Sequence, residues 1–439
     1  MNTSKNIVRK LLSLLLICVF VLLIDRGMAH LLRPVSYADY FNHDIKEIEK
    51  NHEEVDLLFV GASRTYRTFV PQIFEEKLEL NCVVNAGSSS QPITGTYFEL
   101  KDLIERIHPK KVILGVTWDQ LLSYPNTQSS LIVYDRLSLK NKVLMALECF
   151  KDEMKYLLYT YRFKDNFSIE KITSIFRARK QMIANDYYSY AEEGEYYADT
   201  GFVYSYKSLT TGSVPIKHFR DFSRDNILSY DKEYLEACFD LCKKNGIDII
   251  LASGVTTQMR IYSTGDYQDA VDFYTEFAHE HGTEYYNLNY LKGREDFLPD
   301  ELMHDYNHCN GEGAKIVSNL FADILLKVEH GEDVSDYFYA DIDELKKDVH
   351  RIVAVNADIT GDENDLLHKH ASITSLQNDD VDVLYRLSVK YDDSWKVLVD
   401  WTNETELDFT VTKKKDYRIR IEARSSDDSI GRAQRTYKF

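Results

Sequence analysis

The chain has 439 residues, 44% of them hydrophobic and 28% charged, with a formal net charge of −18 at pH 7. This length exceeds one ordinary domain and suffices for a hydrophobic core, so two domains are expected. The acidic balance, which no Lys/Arg-rich stripe offsets, argues against binding nucleic acid through its phosphates. The six cysteines show no CxxC pair and no disulfide-scaffold spacing. Cys238 and Cys242 are interpreted as small buried residues of a helix.

The first 35 residues have the pattern of a membrane anchor or a signal segment. Basic residues up to Lys10 precede an uncharged, almost wholly apolar run over residues 11–24, and Asp25 and Arg26 follow it. The run suits the core of a signal peptide and is short for a membrane span, which needs about 20 residues. The residues after the charged pair could extend the span. We therefore expect an uncleaved single-pass anchor, with cleavage near Ala29 as the alternative, and the rest of the chain outside the cell.

From residue 55 to about residue 326, short β-rich runs alternate with helical periodicity. Continuous apolar runs predict five buried strands, in residues 55–61, 82–87, 110–116, 247–254 and 283–289. This alternation implies a parallel sheet covered by helices on both faces. In such a sheet the functional site lies beyond the carboxyl ends of the strands.

Residues from about 120 to 230 interrupt the alternation and are rich in tyrosine, with ten tyrosines between Tyr156 and Tyr206. Aromatic side chains at this density can stack on sugar rings beside a site. They can equally pack a helical cap onto the core, and the sequence leaves both interpretations open. Insertions of this size often shape access to the substrate.

After residue 330 the composition changes to acidic turns and then to β patterns alone. Apolar and polar residues alternate in residues 385–391, 395–401 and 417–424, which predicts antiparallel strands with one wet face. In the second strand, Trp395, Val397, Val399 and Trp401 are predicted to share the apolar face. The strand spacing suggests a small β-sandwich. These segments also resemble the immunoglobulin-like, triple-tyrosine repeats attached to bacterial surface proteins.

Small and polar residues follow the first three predicted strands. Ser63 comes after the first strand in FVGASRTYR, and Gly87 after the second in NAGSSSQ. Thr117 and Asp119 come after the third in GVTWDQ. The carboxyl ends of parallel strands meet at one edge, so these groups are expected to converge there. This is not a GxSxG nucleophile elbow, because residue 65 is threonine.

The segment HDYNHCNGEGAKIVSNLF, which begins at His304, adds Asp305 and His308 directly before the last predicted helix. An Asp near a His can fix the imidazole tautomer, and the imidazole can take the proton of a serine hydroxyl. Asn310 and Gly313 are expected to shape the turn. The spacing of His304 and His308 also matches a zinc-binding helix, but the intervening sequence makes a poor helix and no third ligand stands out. We predict no metal and, with no nucleotide-binding glycine loop, no cofactor.

This ordered set resembles the SGNH, or GDSL-type, hydrolase family over about residues 55–327. The resemblance implies a three-layer, flavodoxin-like sheet with Ser63 as nucleophile, His308 as general base and Asp305 as the orienting carboxylate. It also implies an oxyanion hole built from the backbone N–H groups of Ser63 and Gly87. The stretch NHCNGEGA is similar to the membrane-anchored bacterial branch of the family. That branch resembles proteins that work beside membrane-bound O-acyltransferases in teichoic-acid D-alanylation and polysaccharide acetylation.

One departure concerns the asparagine that the family carries after its third strand. Thr117, Asp119 and Gln120 stand in that region instead. An ionised carboxylate would repel an oxyanion, so Thr117 or Gln120 is the better substitute, and Thr117 is taken as the third oxyanion donor. Loss of one such donor typically costs about 10²- to 10³-fold in rate.

Together these features predict an anchor in residues 1–35, an SGNH-like α/β domain in 36–330 and a β-sandwich in 331–439. We expect a serine esterase or O-acyltransferase at the outer side of the cell membrane. Its substrates would be acetyl or D-alanyl esters of a cell-envelope polysaccharide or a teichoic-acid-like polymer. Two alternatives are a non-catalytic glycan-binding protein and an accessory subunit of a membrane-bound O-acyltransferase. Whether water or a sugar hydroxyl accepts the acyl group stays open.

Overall fold

The computed structural model describes residues 2–51, 54–122, 126–185, 189–192, 194–210, 212–216, 221–361, 367–377 and 381–439. The elements up to residue 185 are α1 Asn2–Leu32, α2 Tyr37–Asn51, β1 Leu57–Gly61, α3 Ser63–Thr68, α4 Pro71–Lys77, β2 Val83–Asn85, α5 Ile93–Ile107, β3 Lys111–Gly115, α6 Thr127–Arg136, α7 Leu139–Cys149, α8 Tyr159–Arg162 and α9 Ile169–Ala184. Those up to residue 329 are β4 Ser189–Glu192, β5 Glu195–Tyr197, β6 Val203–Ser205, α10 Ser229–Asn245, β7 Asp248–Ser253, α11 Gln258–Tyr262, α12 Tyr267–Glu280, β8 Tyr285–Asn287, α13 Arg294–Phe297, β9 Met303–Asp305, β10 His308–Cys309 and α14 Gly311–Glu329. The remaining elements are α15 Ile342–Asp348, β11 Ile352–Gly361, β12 His368–Gln377, β13 Val383–Lys390, β14 Trp395–Thr402, β15 Glu406–Thr410, β16 Arg418–Ser425 and β17 Ala433–Lys438.

The five predicted parallel strands form one sheet in the order β2-β1-β3-β7-β8. Side chains along a strand alternate between the two faces of the sheet. In β1, Leu58 and Val60 pack into the core layer that holds α5, α10 and α12. Leu57 and Phe59 pack into the opposite layer, which holds α4 and α14. The predicted α/β architecture, a parallel sheet covered on both faces, is therefore confirmed.

Helices α6–α9 and a small antiparallel sheet, β4-β5-β6, form a cap. The packing interpretation is confirmed for Tyr197 and Tyr204, which are buried. Tyr156 and Tyr161 line a cavity instead. Of the ten tyrosines counted in the sequence, Tyr187 and Tyr188 lie outside the described residues. Residues 217–220 of the predicted insertion also lie outside them. Cys238 and Cys242 are buried in α10, as expected.

Helix α1 is attached to the cap by its C-terminal end. The buried Asp25 carboxylate accepts hydrogen bonds from the backbone N–H groups of Tyr159 (2.9 Å) and Thr160 (2.8 Å). Arg179 of α9 donates to the carbonyl of Arg33 at 2.6 Å. Within the described part of the chain, no helix combines the length and hydropathy that crossing a bilayer requires.

The C-terminal strands form two antiparallel sheets, β11-β12-β15 and β14-β13-β16-β17. One apolar core lies between them, with Ile373 and Phe409 from the first sheet and Leu387 and Ile421 from the second. The predicted antiparallel strands are thus confirmed. Arg351 joins this part to the α/β part, through ion pairs with Glu295 (3.1 Å) and Asp300 (3.2 Å).

The prediction that Trp395, Val397, Val399 and Trp401 form one apolar face is wrong except for Val399, which packs against the core between the two sheets. Val397 is 46% exposed. The rings of Trp395 and Trp401 lie under the guanidinium groups of Arg420 (4.5 Å) and Arg386 (4.7 Å). The reason is that β14 is an edge strand whose pairing with β13 shifts register twice, so its large rings cover the outer face of the sheet. Stacking of arginine on tryptophan stabilises this half-exposed arrangement.

Candidate active site

Ser63 is the first residue of α3 and comes two residues after the end of β1. A sharp turn links the two elements, and Gly61 adopts a φ of +152° there. A Cβ at Gly61 would lie 2.4 Å from the carbonyl oxygen of Gly115, so only glycine lets the ends of β1 and β3 approach so closely. The turn places the Ser63 hydroxyl at the carboxyl edge of the sheet, as predicted for a parallel α/β domain.

The Ser63 hydroxyl lies 2.8 Å from Nε2 of His308. On the other side of the ring, Nδ1 of His308 lies 2.9 and 3.0 Å from the two carboxylate oxygens of Asp305. Asp305 and His308 pair across the short antiparallel β9-β10 ladder, and the N–H of Asn307 donates to Asp305 at 2.7 Å. The structure therefore brings together three predicted residues that span 245 positions of sequence, in a hydroxyl–imidazole–carboxylate chain.

The protonation states in this chain follow from burial and hydrogen bonding. Burial lowers the pKa of His308, and the hydrogen bond and charge of Asp305 raise it. The charges of Arg67 and Arg64 add to the lowering, and the net result is a pKa below the ordinary value. For Asp305, burial would raise the pKa, but the hydrogen bond and charge of His308 outweigh it and hold the pKa at about 2. At neutral pH the imidazole is therefore neutral and can accept a proton, while the carboxylate is ionised and fixes the tautomer.

Asn310 and Gly313 shape the start of α14, as the sequence predicts. The side-chain oxygen of Asn310 caps the helix by accepting from the N–H of Gly313 at 3.0 Å. A Cβ at Gly313 would lie 2.2 Å from the carbonyl oxygen of Leu302, so a larger residue would push the helix away from the turn. The cap fixes where α14 begins and thus holds His308, two residues earlier, in place.

The predicted oxyanion donors differ in availability. The N–H of Ser63 has no partner within the described part of the chain. The N–H of Gly87 donates to the side chain of Asn85 at 3.1 Å. The Thr117 hydroxyl donates to Asp119 at 2.7 Å. Of the three predicted donors, the backbone N–H of Ser63 is the one free to bind an oxyanion. The roles of Gly87 and Thr117 stay predictions, because each would first have to break its present hydrogen bond.

Gln120, the other substitute for the missing asparagine, is also engaged. Its side-chain oxygen accepts from the N–H of Thr117 at 2.8 Å, and its nitrogen donates to the carbonyl of Gln91 at 2.9 Å. Burial acts to raise the pKa of Asp119. The charge of Arg64, the hydrogen bond from Thr117 and the charge of Arg260 act the other way, and the net pKa lies below its ordinary value. Asp119 is therefore ionised and accepts hydrogen bonds, as the sequence analysis anticipated.

Arg64 is a site residue that the sequence analysis missed. Its guanidinium stacks over the ring of Trp118 at 4.2 Å and donates to Asn307 at 3.3 Å. Its Nη1 atom is buried and finds no hydrogen-bond partner among the described residues. A cation next to Ser63 with an unused donor can stabilise developing negative charge. Its position directly after the serine was the available signal, but sequence alone does not show that the side chain turns inward.

Two cavities border the site. The smaller, of 300 Å³, is lined by Ser63, Arg64, Gln91, Thr117, Asn307 and His308, among others. The larger, of 820 Å³, is lined by six Lys or Arg side chains but only two Asp or Glu. Residues 87–89 line the larger cavity and residues 90–92 line the smaller, so one segment of chain borders both.

His304 and Glu195 lie at the junction of the cap and the site. Nδ1 of His304 lies 2.7 Å from the Ser205 hydroxyl, and Nε2 lies 3.5 Å from Glu195. Glu195 is itself buried and accepts a hydrogen bond from Arg67 at 2.7 Å. Burial and the charge of Arg67 lower the pKa of His304 to about 4. In the described residues, no group of three His, Cys, Asp or Glu side chains is placed to hold a metal ion.

Comparison with known proteins finds distant structural likenesses only. Neither models of protein families nor curated proteins match the chain. A protein assigned to the G-D-S-L lipolytic family from Desulfitobacterium hafniense shares 11% identity, with 62% of this chain and 99% of that chain covered and a TM-score of 0.31. A GDSL-like lipase from Bacteroides thetaiotaomicron shares 13%, with 67% and 100% covered and a TM-score of 0.31. A protein described as an acylhydrolase from Bacteroides fragilis shares 9%, with 64% and 94% covered and a TM-score of 0.31.

Proposed function

We propose that the protein is a serine esterase or O-acyltransferase of the SGNH type. The observation that carries the proposal is the continuous hydrogen-bonded chain from the Ser63 hydroxyl through His308 to Asp305. Serine is a poor nucleophile unless a base removes its proton, and a neutral imidazole held by a carboxylate is suited to that task. A free N–H at Ser63 and the unused donor of Arg64 supply positive dipole and charge beside the nucleophile.

In this mechanism the Ser63 oxygen attacks the carbonyl carbon of an ester while His308 takes the hydroxyl proton. The tetrahedral oxyanion would accept hydrogen bonds from the Ser63 N–H and nearby donors. The oxyanion then collapses and the bond from the carbonyl carbon to the alcohol oxygen breaks. Protonated His308 gives its proton to the departing oxygen, so an alcohol leaves and the acyl group remains as an ester on Ser63. Water or a sugar hydroxyl attacks that ester with His308 again as base, and the acyl group leaves as an acid or as a new ester.

The substrate we propose is an O-acyl ester, acetyl or D-alanyl, on an anionic glycan or a teichoic-acid-like polymer of the cell envelope. Five of the six basic side chains that line the 820 Å³ cavity are already paired with carboxylates. Lys164, for which the described residues show no ion pair, is the cation there that supports an anionic polymer. Nη1 of Arg67, which lines that cavity, is buried with no hydrogen-bond partner in the described residues. Tyr156 and Tyr161 also line that cavity, and aromatic side chains are suited to contact with sugar rings.

We also propose that the chain works at the outer side of the cell membrane, held by α1. The support is the apolar run between Lys10 and Asp25, whose described side chains are mostly exposed. A membrane-bound O-acyltransferase is the partner that this placement suggests. Large apolar side chains at the surface of a protein commonly mark contact with lipid or another protein.

The test is covalent labelling of the purified full chain by a fluorophosphonate, read by intact mass. We expect one adduct in the wild type and in the control Ser89→Ala, whose serine is exposed and lines the larger cavity. We expect no adduct in Ser63→Ala. Labelling that survives Ser63→Ala would contradict the assignment of the nucleophile.

A non-catalytic glycan-binding protein is the second candidate, because the N–H of Gly87 and the hydroxyl of Thr117 are already engaged. This candidate predicts no adduct in the wild type and no cleavage of p-nitrophenyl acetate. It also predicts that an anionic polysaccharide protects the chain from thermal unfolding. An adduct at Ser63 would exclude it.

A further inference from the structure

Exposed large hydrophobic side chains concentrate in two neighbouring parts of the molecule. Of the 23 among the described residues, ten lie in residues 11–24 of α1 and nine in residues 139–183 of the cap. The other four are scattered over the rest of the described chain. Scattered exposed apolar residues are ordinary, whereas a concentration of this kind marks a binding surface.

In the cap these side chains form stripes along two helices. On α7, Leu139, Val143 and Leu147 recur every four residues and are 74%, 52% and 65% exposed. Side chains four apart lie on one face of a helix.

On α9, Ile169, Phe176 and Ile183 recur every seven residues and are 87%, 49% and 62% exposed. Seven residues are close to two full turns, so these three also share one face. We call the two stripes together the cap face.

The same two parts carry positive charge in a chain whose net charge is −18. Residues 139–184 contain ten Lys or Arg and five Asp or Glu, a net charge of +5. Residues 2–33 contain five Lys or Arg and one Asp, a net charge of +4. These charges are spread among other residues rather than clustered in a run, which is why no basic stripe stands out in the sequence. Exposed apolar stripes with interspersed basic residues are the composition of an interfacial membrane-binding surface.

Helix α1 and the cap are joined directly. Asp25 near the end of α1 bonds to the start of α8, and Arg179 of α9 bonds to the backbone at Arg33. On α7, Lys142 donates to the carbonyl of Asp135 at 3.3 Å. Tyr159 links Asp135 to the end of α1, because its hydroxyl donates to the Asp135 carboxylate at 3.2 Å and accepts from Arg26 at 3.0 Å. A membrane that receives α1 would therefore meet the cap as well.

We propose that the cap face rests on the surface of an anionic phospholipid bilayer beside α1, with the side chains of α7 and α9 among the lipid headgroups. This inference rests on the membrane placement proposed above and extends it from one helix to the α/β domain. Arg33 and Tyr37, which follow α1, line the 820 Å³ cavity together with Tyr156 and Tyr161 of the cap. Docking would hold that cavity at a fixed distance from the bilayer, where esters carried on membrane-attached polymers are found.

The experiment is site-specific photocrosslinking of the full chain. The chain is reconstituted in vesicles of phosphatidylcholine with about 30% phosphatidylglycerol, which gives the bilayer an anionic surface. The photoreactive residue p-benzoylphenylalanine replaces Leu147 or Phe176 of the cap face, or the control residue Tyr337, which is 39% exposed and lies outside it. Flotation first establishes that each variant is vesicle-bound, and intact mass then identifies the adducts. Fluorophosphonate labelling reports separately on Ser63.

We expect lipid adducts at positions 147 and 176, severalfold more than at 337, with a lower yield in vesicles of phosphatidylcholine alone. Equal yields at all three positions, or none at 147 and 176, would overturn the proposal. So would adducts with a second copy of the chain, which would make the cap face a protein interface. If the chain does not float with the vesicles, both the proposed contact of the cap face with the bilayer and the proposed anchoring by α1 are overturned. Labelling of Ser63 would still test the catalytic proposal.

Discussion

The imidazole of His308 lies between a hydroxyl that needs a base and a carboxylate that fixes its tautomer. Asp305 raises the pKa of this imidazole, whereas burial and the charges of Arg67 and Arg64 lower it, and the net effect is a lowered pKa. The group is therefore neutral over a wider range of pH than a free histidine. Its environment favours a base over an acid in the resting protein.

The first prediction concerns the pH dependence of kcat/KM for p-nitrophenyl acetate. Only neutral His308 can accept the serine proton, so the rate should fall as pH decreases through the pKa of His308. Because that pKa is lowered from 6.5, the midpoint of the acid limb should lie below pH 6.5. A midpoint above 6.5 would contradict the role of His308 as the base.

The second prediction is the effect of Asp305→Asn. The carboxylate raises the pKa of His308, so its loss should move the acid limb to lower pH. Loss of the tautomer-fixing partner should also reduce the rate by about 10⁴-fold. The matched control is Asp296→Asn, an exposed carboxylate on α13, which should retain wild-type kinetics. An unshifted acid limb in Asp305→Asn would argue that the Asp305–His308 bond has no catalytic role.

At the scale of elements, the approach of α3 to the end of β2 positions the nucleophile. A Cβ at Gly87 would lie 2.8 Å from the backbone N of Tyr66 and 3.1 Å from the carbonyl of Ala62. Asn85 strengthens the same contact by donating to the carbonyls of Thr65 (3.0 Å) and Phe69 (2.8 Å). Gly87 therefore has a packing role that the resemblance to a hydrolase family did not reveal.

The third prediction is that Gly87→Ala displaces α3, because the obstructing atoms belong to the backbone and cannot rotate away. We expect slower fluorophosphonate labelling of Ser63 and a loss of about 1–3 kcal/mol in the free energy of unfolding. Urea unfolding and the labelling rate measure the two effects. Gly27→Ala is the control, because no atom lies within 4 Å of a Cβ built there. Wild-type values for both quantities in Gly87→Ala would contradict the packing argument.

At the scale of the whole molecule, the C-terminal sheets are tied to the α/β part by Arg351. Its side chain is only 11% exposed and pairs with Asp300, which is 6% exposed, and with Glu295. Asn356 of β11 adds hydrogen bonds to the backbone of Ile216, at 2.8 and 3.2 Å. Removal of the arginine would leave two largely buried carboxylates without their cation.

The fourth prediction is therefore that Arg351→Met lowers the free energy of unfolding by about 3–5 kcal/mol. The comparison variant is Arg432→Met, whose exposed pair with Asp428 should be worth about 0–1 kcal/mol. Urea denaturation of both variants beside the wild type measures the difference. Equal stability of the two variants would show that Arg351 does not hold the two parts together.

Sequence periodicity was sufficient for the parallel sheet because both faces are covered, so each strand is a continuous apolar run. It failed for β14, where the alternation is genuine but arginines on neighbouring strands cover the rings of Trp395 and Trp401. Period alone tells which side chains share a face. It does not tell whether that face meets the core or a layer of cations.

The sequence by itself determined the α/β alternation, because local pattern encodes it. Residue type, position and the resemblance to a hydrolase family singled out Ser63, Asp305 and His308. The tertiary structure alone decided the distances that make those residues a hydrogen-bonded chain. It also turned the side chain of Arg64 toward the cavity beside Ser63 and that of His304 toward Asp305. It also decided that the donors of Gly87 and Thr117 are engaged and that α7 and α9 expose apolar stripes near α1. The physical reason is that hydrogen-bond partners and exposure depend on neighbours distant in sequence, which only the packed chain brings into contact.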